Sequence, residues 1–132
     1  MEIIITEWAL DSYLELWQKR EFSAKDYKEV IRPDVLLLKS FREPAQFDNN
    51  KFWSPAEVNG TAIPGTFKMK WHNLGDRKIQ LRLPVLLLEN DAYLLEAYVK
   101  NDAKTEVRKL MKAKGHQEMI CRGQYTERGR LS

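Results

Sequence analysis

From Phe67 to His72 the chain alternates without exception, with Phe67, Met69 and Trp71 set against Lys68, Lys70 and His72. Successive side chains of a strand point to opposite faces, so this period predicts a strand with one buried and one polar side. The turn signal NLGD follows, then the apolar-rich run Lys78–Leu88, the turn END and a third run, Ala92–Lys100. Runs of this kind joined by short turns predict a three-stranded antiparallel meander. Pro84 in the middle run predicts a bulge or an unpaired edge position.

Around this meander the pattern changes. Glu2–Thr6 is short and β-branched, the signature of a buried first strand. Thr6 is suited to cap a helix through about Lys19, in which Leu10, Tyr13, Leu14 and Trp17 recur at helical spacing. Ser23 with Asp26 resembles a capping box for a second helix, which Pro33 is expected to break or kink. Residues 43–66 hold three prolines, Gly60 and Gly65, and read as a long irregular loop pinned by Phe47, Phe52 and Trp53. Thr105–Lys114 reads as a final helix, and residues 115–132 as a basic tail that is loose on its own. The expectation is a single α+β domain over residues 1–132, with helices packed on one face of a mostly antiparallel sheet.

Composition narrows the function classes. Apolar residues at 43% and charged residues at 31% fit a folded domain rather than a disordered chain. No apolar run approaches the ~18 residues of a membrane span, and the start lacks the features of a secretory signal, so no membrane partner and a cytoplasmic location are expected. Cys121 is the only cysteine, and His72 and His116 stand apart, so no metal site and no cofactor are expected. Nucleophile elbows and phosphate-binding glycine loops are absent. Residues 1–66 carry 8 Lys and Arg against 11 Asp and Glu, whereas residues 67–132 carry 14 against 8. A basic half of this kind attracts polyanions.

If register follows burial, Gln80 and Arg82 of the middle strand, and Glu96, Tyr98 and Lys100 of the last, join Lys68, Lys70 and His72 on one face. An ordinary solvated sheet face accounts for any one of these residues. Together they match what metal-free cleavage of RNA requires: cations for the charge gained by the phosphorane, and groups that take a proton from the 2′-hydroxyl and give one to the leaving oxygen. Lys68, Lys70 and Arg82 are the cation candidates, and His72, Glu96 and Tyr98 compete for the proton transfers. Trp71 or Tyr98 can stack on a base, and Lys100, Lys104 and Arg108 are candidate RNA contacts.

The stretches GTFKMKWHNLGDRKIQLRLPV and AYLLEAYVKNDAKTEVRKL resemble the core of the RelE/ParE superfamily of bacterial toxins, over about residues 67–112. That resemblance implies a microbial-RNase-like α+β fold and a metal-independent endoribonuclease that cleaves mRNA on the ribosome and is held in check by an antitoxin protein. Lys68 and Lys70 match the family's strand lysines, Arg82 its middle-strand arginine, and Lys100 falls near its basic cluster. The ParE branch implies an alternative, a non-enzymatic gyrase poison, or more broadly an RNA- or protein-binding module, on the same fold.

Overall fold

Thr6 closes the first strand and opens the first helix in a single residue. Its hydroxyl donates to the Leu94 carbonyl at 2.6 Å and accepts from the Ala9 amide at 3.3 Å. In the computed structural model, which describes residues 1–132, this residue joins β1 (Glu2–Thr6) to α1 (Glu7–Gln18). Ser12, one turn further on, is also buried, and its hydroxyl accepts from the Ala97 amide at 2.9 Å. The inward stripe of α1 is therefore Ala9, Ser12, Tyr13 and Leu16, and Leu14 and Trp17 of the expected stripe lie largely exposed.

Ser23 and Asp26 form the expected capping box at the start of α2 (Ala24–Asp26). Pro33 does not break the helical path. The chain takes a π-turn over Tyr27–Ile31, in which the Arg32 amide bonds to the Tyr27 carbonyl, and continues as α3 (Arg32–Leu36). The wider turn and the position of Pro33 in the first turn of α3 absorb its missing donor. Short 3₁₀ turns follow at Leu37–Ser40 and Ala45–Asp48.

Residues 43–66 are not an irregular loop. β2 (Trp53–Val58) and the first part of β3 (Thr61–Leu74) form a hairpin within them. Pro55 is accommodated because β2 is the sheet's outer strand. β4 (Ile79–Leu88), β5 (Asp91–Leu94) and the two-residue β6 (Tyr98–Val99) follow. Both β5 and β6 pair with β4, and the gap between them lies beside Pro84, whose carbonyl accepts from the Leu95 amide at 2.9 Å.

The last helix, α4 (Ala103–Cys121), runs past Gly115, and the presumed tail ends in β7 (Glu127–Leu131), antiparallel to β1. The result is a seven-stranded mixed sheet, six strands in the order β2-β3-β4-β5-β1-β7 and β6 off this path on β4, in which β1 and β5 are parallel. The fold is α+β, with a sheet larger than the predicted meander.

The expectation of helices on one face is overturned by the core, which is split. Ile3, Val35, Met69, Trp71, Leu81, Val85 and Leu94 pack under α1 to α3 on one face. Ile4, Leu86, Tyr93 and Leu95 meet Leu110, Ala113 and Ile120 of α4 on the other. No helix is long and apolar enough to cross a membrane.

Candidate functional site: a cationic cluster under α4

Register places four of the sequence candidates together. Lys70 is paired with Arg82, Arg82 with Tyr98, and Lys68 with Pro84. Lys68 and Lys70 are two residues apart on β3, so these side chains share the sheet face that α4 covers. Lys100 follows at the end of β6, where its amide bonds to the Gln80 carbonyl at 2.8 Å.

The residue that organises them is Glu106, which the sequence reading did not single out. Asp102 caps α4 by accepting from the Thr105 amide at 2.7 Å, which sets the first helical turn against the end of β6. Glu106 lies in that turn. Its carboxylate accepts from the Tyr98 hydroxyl at 2.8 Å and lies 3.5 Å from the Lys68 ammonium and 3.7 Å from that of Lys100. Burial pushes the Glu106 carboxyl up, but the Tyr98 hydroxyl and the charges of Lys68, Lys100 and Arg82 outweigh it and hold the group below its ordinary value. Tyr98 is 2% exposed, and burial together with the adjacent carboxylate raises its phenol far above the usual range. It is a fixed donor rather than a base.

Arg82 is 6% exposed and makes no ion pair within 4 Å. Its guanidinium donates to the Trp71 and Leu81 carbonyls, both at 3.1 Å. Lys70 likewise has no carboxylate partner. Burial, then the neighbouring Lys68 and Arg82 charges, push its ammonium below its ordinary value. Four cations thus lie around one carboxylate that pairs with only Lys68 and Lys100, which leaves a partly desolvated excess of positive charge.

Beside the cluster a cleft of about 550 Å³ runs between the end of α1, the β3–β4 turn and the start of α4, lined in part by Gln80, Tyr98, Lys100 and Thr105. No group of three or more His, Cys, Asp or Glu side chains is placed to hold a metal ion.

The remaining candidates lie elsewhere. The pairing of β3 with β4 shifts between Trp71 and Leu74, and the exposed His72 bonds through Nε2 to the Lys51 carbonyl at 2.6 Å. Glu96 falls in the break between β5 and β6 and turns to Lys109 and Lys112 of α4, at 3.0 and 3.8 Å. Trp71 is buried on the opposite face and donates to Asp34 at 2.8 Å, so no base can stack on it. Lys104 and Arg108 are exposed, each two residues from Glu106 and hence on another side of α4.

The aspartate-capped turn, DAKTE immediately after the strand ending in Lys100, was the signal for Glu106: a carboxylate in the first turn of a helix returns to the strand that precedes it. Compared with protein-family models, curated proteins and solved structures, the chain matches none.

Proposed function

We propose that the cluster binds a phosphodiester of RNA and that the chain is a metal-independent endoribonuclease of the toxin kind it resembles, acting on ribosome-bound mRNA and restrained by an antitoxin protein. The observation that carries this reading is the imbalance of Lys68, Lys70, Arg82 and Lys100 around the single carboxylate of Glu106. A desolvated excess of cations is complementary to the charge that a phosphorane gains in its transition state.

The roles follow from chemistry. An arriving phosphate competes for Lys68 and Lys100, which frees Glu106 and raises its basicity. The carboxylate then takes the 2′-hydroxyl proton as the 2′-oxygen bonds to phosphorus. The bond from phosphorus to the 5′-oxygen breaks, and Lys70, whose ammonium is the more acidic for its surroundings, protonates that oxygen. The products are a 2′,3′-cyclic phosphate and a 5′-hydroxyl. Tyr98 holds Glu106 in place, and Arg82 supports the charge from beneath.

The non-enzymatic alternative, a gyrase poison on this fold, is favoured by one feature: Tyr98 and two lysines already engage Glu106 in the free chain. Primer extension on cellular mRNA after induced expression separates the two. Cleavage is expected from the wild type and reduced by about 10²-fold or more in Lys70→Met and Glu106→Gln. Neither change is expected to unfold the chain, since Lys70 has no partner to lose and glutamine still accepts from Tyr98. Cleavage at wild-type rates by both variants would sink the site assignment, and growth arrest with intact mRNA would favour the gyrase poison.

A further inference from the structure

The cleft of about 550 Å³ beside the cluster is polar, with only five hydrophobic residues among the 17 that line it. Three of its five cations are already paired: Lys19 with Glu15 at 2.8 Å, Arg77 with Glu21 at 3.2 Å and Lys109 with Glu96 at 3.0 Å. Lys100 belongs to the cluster. Lys78 is the fifth, and its exposed side chain makes no ion pair.

Backbone geometry sets Lys78 apart as well. It closes the β3–β4 turn, where its amide bonds to the Gly75 carbonyl at 3.1 Å and its φ is +51°. That left-handed conformation drives a Cβ toward the following carbonyl oxygen, a strain that glycine escapes. The turn therefore keeps a free cation where glycine would relax it, and such strain collects at functional sites. The Lys100 amide bonds to the Gln80 carbonyl at 2.8 Å, and Lys78 precedes Gln80 by two residues. At the rise of a strand this separates the two lysines by roughly 7 Å along β4, which suits adjacent phosphates of an extended single strand.

We propose that the cleft holds one nucleotide of the RNA and that Lys78 binds the phosphate next to the one at the cluster. The inference rests on the endoribonuclease assignment for what occupies the cluster, and it adds that a well-bound short substrate carries two phosphates.

Isothermal titration of the whole chain with a 2′-O-methyl dinucleoside monophosphate, which cannot be cleaved, tests the subsite. The ligand is used bare, with a 5′-terminal phosphate and with a 3′-terminal phosphate. A terminal phosphate at one end is expected to tighten binding about tenfold, and at the other end far less. The gain should vanish in Lys78→Gly and Lys78→Gln and persist in Lys78→Arg. In urea Lys78→Gly should unfold at a midpoint no lower than the wild type, because glycine relieves the turn. A lost gain then reflects the missing ammonium rather than a damaged fold. No tightening at either end, equal tightening at both, or tightening that survives in Lys78→Gly overturns the proposal. Ribose dinucleotides separate the subsite from the cleavage activity. If they bind with the Lys78-dependent gain but stay intact, the endoribonuclease assignment fails and the subsite stands; if they are cleaved with no such gain, the reverse holds.

Discussion

Glu106 carries one negative charge among several positive ones, and that makes the site sensitive to pH. Its carboxyl titrates near 4.5 when the chain is unfolded and lower when folded. The unfolded chain therefore binds the proton more readily, and the stabilisation that Glu106 gives is fully present above the unfolded value and lost as pH falls through the folded one. Urea unfolding from about pH 6 to about pH 3 should show the wild type losing stability relative to Glu106→Gln. Taking the difference between the two proteins removes the other carboxylates, including Asp34, which burial raises. Parallel curves would mean that Glu106 is not held by its neighbours. Strand alternation made Lys68, Lys70, Arg82, Tyr98 and Lys100 legible as one face. Glu96 does turn to the side of α4, but its carboxylate pairs with Lys109 and Lys112 rather than with the cluster, because it lies in the break between β5 and β6. His72 is exposed, as alternation requires, but its ring bonds to the Lys51 carbonyl rather than to any member of the cluster.

The elements that were misread are those whose local sequence argues against them. The final helix is expected to stop at Lys114, yet α4 continues through Gly115 because His116 stacks on Trp8 with ring centroids 4.0 Å apart and Ile120 packs against the core. Such burial outweighs the ~1 kcal/mol that a mid-helix glycine costs. Glu127–Leu131 has the charge of a solvated tail, yet its backbone pairs with β1 from Ile3 to Thr6, and the Glu7 amide bonds to the Thr126 carbonyl at 3.0 Å. An outer strand can be polar on both sides, and nothing in its sequence then distinguishes it from a loop. Removing residues 127–132 exposes the edge of β1, whose Ile3 and Ile4 reach both halves of the core. The truncated chain should lose at least ~2 kcal/mol in urea unfolding and elute as larger species at high concentration. A monomer as stable as the full chain would show that this strand is dispensable.

On the scale of the whole molecule, the positive half of the sequence is distributed in two tiers. Lys68, Lys70 and Lys100 belong to the cluster, while Lys104 and Arg108 stand exposed on another side of α4 with no ion-pair partner. On the proposed function, the first tier would meet the reacting phosphate and the second would meet phosphates along the strand. Counterion release gives each phosphate contact on a single strand about −0.7 in the slope of log K against log salt. If these five side chains each make one contact, single-stranded RNA should bind with a slope of about −3.5. The double change Lys104→Gln and Arg108→Gln should reduce it by about 1.4 and weaken binding at low salt regardless of sequence. Because neither residue reaches Glu106, cleavage at saturating RNA should keep the wild-type rate, so that KM rises while kcat holds. Filter binding across a salt series and cleavage kinetics read the two quantities separately. A fall in kcat with no change of slope would place Lys104 and Arg108 at the reacting phosphate, and the division into two tiers would have to be abandoned.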